Sequence, residues 1–134
     1  MANLKSLKRS EKATTEGVWK RPSLDIDLEV LCRARGDSFH DKQASRQRKA
    51  AVSFGGDAEK LPVAMKRKIN TRTLIDECLI DVKMLDDDKN PVSFEEFCEL
   101  ILSPDYPDLT TAAFTAVEMA TAEREADTKE AVGN

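Results

Sequence analysis

The chain has 134 residues, a formal net charge of −4 and few aromatics: five Phe, one Trp and one Tyr. That length suits one domain with a modest core; no apolar run approaches the ~20 residues a membrane span requires, and the basic N-terminus MANLKSLKRSEK lacks the apolar stretch of a secretory leader. The charge is unevenly placed: residues 1–72 carry 17 Lys/Arg against 9 Asp/Glu, net +8, and residues 73–134 carry 4 against 16, net −12, a split that steers partners or draws the two halves of the chain together.

Residues 1–15 are polar and without period, which predicts a flexible tail. Beyond Gly17, Val18 and Trp19, a turn fits at Arg21-Pro22-Ser23. From there Leu24, Ile26, Leu28, Val30, Cys32 and Ala34 alternate with Asp25, Asp27, Glu29, Leu31, Arg33 and Arg35. A period of two predicts a strand from Leu24 to Ala34 with its even-numbered residues inside. Because a lone strand leaves its backbone groups unpaired, the unit is read as a β-hairpin. Gly36-Asp37 ends the strand, and Asp37 or Ser38 is placed to cap a helix over DKQASRQRKAAV. That helix is basic and polar nearly all round, which predicts an exposed or partner-facing element. Ser53 to Glu59, with Gly55-Gly56, reads as a connector, and Pro62 suits the first turn of the next helix. From Thr73 a stripe of Leu74, Ile75, Cys78, Leu79, Val82 and Leu85 predicts a helix.

The stretch DDDKNPVSFEEF, Asp86 to Phe97, has the look of a calcium loop. An EF-hand needs oxygen ligands at loop positions 1, 3 and 5, glycine at 6 and a bidentate glutamate at 12. With Glu96 at position 12, Leu85 falls at 1, Lys89 at 5 and Asn90 at 6; with Asp86 at 1, Phe97 falls at 12. Neither register supplies the ligands. The same residues make a helix–turn–helix joint in which Pro91 stops one helix and Ser93, with Glu96 three residues on, caps the next. Phe94, Phe97, Cys98 and Ile101 share a face of that helix, which ends at Ser103-Pro104. Asp108 is placed to cap a last helix with Leu109, Ala113, Val117 and Ala120 on one side, and the chain is expected to fray after Glu123. The predicted fold is α+β and mostly helical, an N-terminal β-hairpin followed by a small bundle of about four helices. The domain spans residues 16–123, between flexible tails at 1–15 and 124–134.

Chemistry has little to stand on. His40 is the one histidine, and a catalytic base needs a nucleophile and an orienting partner beside it. Gly55-Gly56 lacks the lysine and hydroxyl spacing of a phosphate loop. Cys32, Cys78 and Cys98 are odd in number and set in apolar patterns, as reduced core thiols of a cytosolic protein are. No catalytic, cofactor or metal residues are therefore assigned, and no enzymatic activity is expected. The basic stretch from Arg33 to Arg72 raises nucleic acid, but no recognition motif accompanies it and few aromatics are available for stacking. A solvated face or a docking surface for an acidic protein fits better.

One pattern runs the length of the chain: TEGVWKR at the start, Leu79-Ile80-Asp81, the turn Asp88-Lys89-Asn90-Pro91-Val92, and an aspartate- and proline-rich stretch from Ser103 to Asp108. Over residues 14–120 it resembles the small tail assembly chaperones encoded beside the tail genes of tailed bacteriophages. It departs from them at Asn90-Pro91, where a glycine turn is commoner, and at Val82-Lys83, where tryptophan is frequent. The resemblance implies a non-enzymatic protein of the host cytoplasm that binds tape-measure and tail-tube proteins before assembly and is absent from the finished tail. Self-association is left open. Under that reading the client-facing positions are expected at the hairpin edge, Val18 and Trp19, and on the last helix around Phe114 and Val117. A small structural neck or tail protein and a basic nucleic-acid-binding accessory protein are the alternatives.

Overall fold

The computed structural model describes residues 16–132, with side chains as far as residue 126. The tail predicted over residues 1–15 lies outside the described residues. Three strands, β1 (Val18–Lys20), β2 (Leu28–Cys32) and β3 (Leu79–Met84), form one antiparallel sheet in the order β1-β2-β3. Four α-helices accompany it among the described residues: α1 (Asp37–Ala51), α2 (Val63–Glu77), α3 (Phe94–Leu102) and α4 (Pro107–Val132). Two short 3-10 turns, Val52–Phe54 and Ala58–Lys60, join α1 to α2. The fold is α+β and mostly helical.

The hairpin exists with the predicted even-numbered face inward, but its strands are shorter and the connection, expected at Arg21-Pro22-Ser23, runs over residues 21–27. Val18 faces Cys32 and Lys20 faces Val30 across β1 and β2, and Leu28, Val30 and Cys32 are all buried. Leu24, however, is 95% exposed, and residues 24–26 form a bend ahead of the strand. The Asp25 N–H donates to Ser23 Oγ at 3.1 Å, a local bond that competes with strand pairing. With only three residues in β1, nothing lies opposite the first half of the alternating run, so the ladder starts at Leu28.

The larger correction concerns Leu79–Met84, which is a strand and not the second half of a helix. Helix α2 stops at Glu77, and Cys78 leaves it with φ −120°. The Cys78 carbonyl then accepts from Arg33 N at 2.7 Å, which starts the pairing with β2. Leu28 faces Met84 and Val30 faces Val82, while Leu31 pairs with Asp81 and Cys32 with Leu79. Ile80 is thus the extra residue of a β-bulge. Its side chain reaches Gly17: a Cβ on Gly17 would lie 2.5 Å from Ile80 Cδ1 and 3.1 Å from the Cys32 carbonyl oxygen. Gly17 also has φ +82°, so close approach and backbone conformation both require glycine there.

The segment after β3 is consequently a strand–turn–helix joint, and Pro91 stops no helix. Asp86 Oδ1 accepts from the N–H groups of Asp88 and Asn90, both at 2.9 Å. Lys89 takes φ 65°, and Val92 N donates back to Met84 O at 2.9 Å. Ser93 caps α3 as predicted, its Oγ accepting from Glu96 N at 3.1 Å. Pro107 opens α4, which puts Asp108 in the first turn and not at the cap; a carboxylate there still complements the positive end of the helix. The helix continues to Val132, past the predicted limit at Glu123.

The core lies between the helices and one face of the sheet. Leu74, Phe97, Ile101, Ala113, Ala116, Val117 and Ala120 are buried with the even-numbered residues of β2. Alanine at three of these α4 positions lets the helix backbone come close to its neighbours. Polar ties hold α4 to the sheet side: Lys20 Nζ lies 3.1 Å from Glu123 Oε2, Arg35 pairs with Glu118, and Arg35 N donates to Thr121 Oγ1 at 3.0 Å.

Helix α1 also departs from expectation, because much of its polar surface is packed. Gln43 and Gln47 donate to Asn70 Oδ1 at 2.8 and 2.9 Å, and Arg46 donates to Thr73 Oγ1 and to Asp76 Oδ2 at 3.1 and 2.5 Å. Ser38 and Lys42 both donate to the Glu77 carboxylate. A helix that reads as polar on every side is here joined to α2 by a polar seam. His40, Asp41, Arg48 and Lys49 remain exposed.

Candidate functional site

Helices α2 and α4 and the α3–α4 connection together line a surface groove of about 650 Å³. One wall is Ala64, Arg67, Lys68 and Thr71, four positions of α2 at helical spacing. The other wall is the α4 stripe of Pro107, Thr110, Thr111, Phe114, Thr115 and Glu118. Ile101, Leu102, Ser103 and Pro104 complete it. These residues share a groove because i, i+3, i+4 and i+7 fall on one side of a helix.

Two hydrogen bonds fix the shape of the connection. Thr110 Oγ1 lies 2.8 Å from Ile101 O and 3.2 Å from Tyr106 O. Thr71, only 1% exposed, donates its hydroxyl to Arg67 O at 2.8 Å. The hydroxyls of Thr71 and Thr110 are thus taken up by backbone carbonyls, which leaves the groove largely apolar although its threonines read as polar. Arg67 and Lys68 are exposed and form no ion pair among the described residues. Glu118, the one carboxylate among the lining residues, is engaged by Arg35.

The four expected client-facing residues do not converge on one surface. Phe114 is half-buried, lines the groove and packs on the core beneath it. Val117, one turn further on, is fully buried in the core, which corrects its assignment as a contact residue. A stripe on one helix cannot by itself distinguish the position that faces the core from its neighbour at the groove. Val18 is half-buried against the core, and Trp19 is 38% exposed on the opposite face of the sheet. Lys83 Nζ stands 4.2 Å from the centroid of the Trp19 ring, a cation–π contact that partly covers it. Strand β1 is an edge of the sheet. The α2 wall, with Arg67 and Lys68, belongs to the basic stretch from Arg33 to Arg72 that sequence reasoning offered as a solvated face or a docking surface for an acidic protein; the groove itself, signalled only by the i, i+3, i+4, i+7 spacing from Ala64 to Thr71, was not foreseen.

The cysteines are placed as core residues. Burial pushes the Cys32 and Cys78 thiols up to about 12, and it raises that of Cys98 as well. Thiols held protonated in this way are poor nucleophiles at neutral pH. Among the described residues no group of three or more His, Cys, Asp or Glu side chains is arranged to hold a metal ion, and no helix is long and apolar enough to cross a membrane. Asp86, the first carboxylate of the calcium-like stretch, is committed to the backbone N–H groups of its own turn. Compared with known families, characterised proteins and solved structures, the chain matches none.

Proposed function

We propose that the protein is an assembly chaperone of the tailed-phage type, a non-enzymatic binder of tape-measure or tail-tube protein in the host cytoplasm. The observation that carries this reading is the groove between α2 and α4, an apolar surface cleft walled by two helices and large enough to take several side chains of a client. Of the segments that carry the resemblance to those chaperones, the EGVW hairpin and the Asp88–Val92 turn lie in the sheet and its connection to α3, whereas Leu79-Ile80-Asp81, which the resemblance places at the end of a helix, lies in strand β3. The edge strand β1 offers a second mode of capture by strand addition.

Co-expression tests the reading. The protein should raise the soluble yield of the tape-measure protein from its own phage, and deleting its gene should leave heads without tails. Purified virions should lack it. Stoichiometric copies in mature particles would favour a structural neck or tail component, and unchanged tail assembly after deletion would remove both readings.

A further inference from the structure

We infer, resting on the chaperone reading, that the groove accepts an amphipathic α-helix whose apolar stripe is flanked on one side by carboxylates. The form of the occupant follows from the walls. Both are helices, whose backbone groups are bonded within their own turns, so the groove presents no free edge for an extended segment to pair with. A trough between two helices is filled by the ridges of a third, with axes about 8–10 Å apart. Phe114, Leu102 and Pro107, none of them fully buried, supply the apolar surface for such a stripe.

The charge of the occupant follows from α2. Arg67 and Lys68 stand on one wall without an ion pair among the described residues, while the carboxylates of the same helix, Asp76 and Glu77, are drawn to α1 by Arg46 and Lys42. On the facing wall Glu118 is held by Arg35. Among the described residues the α2 side of the groove is therefore positive, with no carboxylate paired to it. Carboxylates beside the apolar stripe of an incoming helix would meet both cations and set its orientation, whereas lysines there would be repelled.

The test uses two fluorescein-labelled designed peptides of about 18 residues, long enough for about five helical turns. They share a leucine stripe and differ only in carrying glutamates or lysines along one flank. In fluorescence anisotropy the wild-type protein should bind the glutamate peptide at least about tenfold tighter than the lysine peptide. The double variant Arg67→Glu/Lys68→Glu should invert that preference, and both side chains are exposed, so it should melt as the wild type does. Thr111→Trp, an exposed position that would fill the groove, should weaken both peptides. Equal affinity for the two peptides, an unchanged preference after charge reversal, or no binding of either by the wild type would overturn the inference. If the preference fails while co-expression still solubilises the tape-measure protein, the groove assignment falls and the chaperone reading stands. If the preference holds while the tail proteins stay insoluble, the groove assignment stands and the chaperone reading falls.

Discussion

Replacing Gly17 with alanine should destabilise the domain by two separable routes. At φ +82° an L-residue costs about 1–2 kcal/mol. The added methyl would also lie 2.5 Å from Ile80 Cδ1 and 3.1 Å from the Cys32 carbonyl oxygen. Overpacking of this kind typically costs about 1–3 kcal/mol, and the lower end applies because Cδ1 is the free end of a side chain. The expected total is about 2–3 kcal/mol, a large fraction of the stability of an ordinary domain. Ile80→Val removes Cδ1 and should by itself cost about 0.5–1 kcal/mol, since the side chain is only half-buried. In that background Gly17→Ala should become cheaper by about 1 kcal/mol, because only the backbone strain and the contact with the carbonyl remain. Urea unfolding of all four proteins, followed by circular dichroism, measures the cycle. A Gly17→Ala variant within about 0.5 kcal/mol of wild type, or an equal cost in both backgrounds, would refute the packing of Ile80 over Gly17.

Leu28→Asp should unfold or aggregate the protein, whereas Leu24→Asp should leave the urea midpoint nearly unchanged; equal sensitivity would mean that the strand extends back to Leu24 after all. Ser93→Ala should cost about 1 kcal/mol through loss of the bond to Glu96 N, and a silent substitution would show that the cap is energetically idle. The Ser38 hydroxyl bond, with Lys42 beside it, holds the Glu77 carboxyl below its ordinary value of 4.5. A depressed folded-state value means a stabilisation present above about 4.5 and lost as the pH falls through the folded value. Glu77→Gln should therefore flatten the acid side of the stability profile, and an unchanged slope would refute the contribution.

The residues that sequence reasoning placed well are those whose pattern has one solution. Leu28, Val30 and Cys32 alternate with Glu29 and Leu31, and only a strand puts such a set on one face. Ser93 with Glu96 three residues on marks a helix start wherever the rest of the chain goes. Leu109, Ala113, Val117 and Ala120 form a stripe with a helical period and are buried together. The candidate site was less legible. Phe114 and Val117 occupy the same stripe, yet the groove opens beside one and the core closes over the other. The polar residues of α1 gave no sign that they would meet Asn70, Thr73 and Asp76, because each partner lies 23 or more positions away.

By itself the sequence determined the α+β class, the inward face of β2, the cap of α3 and the buried stripe of α4. In each case the information is local: a period, or a side chain that bonds a backbone group three residues away. Tertiary structure alone decided that residues 79–84 are a strand. Leu74, Ile75, Cys78, Leu79, Val82 and Leu85 satisfy a helical stripe, and Ile80, Val82 and Met84 equally satisfy a strand. The outcome turned on β2, whose second edge, nearly fifty residues earlier, would have kept its N–H and C=O groups unpaired without β3. The same long-range contact made Gly17 indispensable by bringing Ile80 against it. The groove has a similar origin, since its walls come from α2 and α4 and only their packing around α3 sets the space between them.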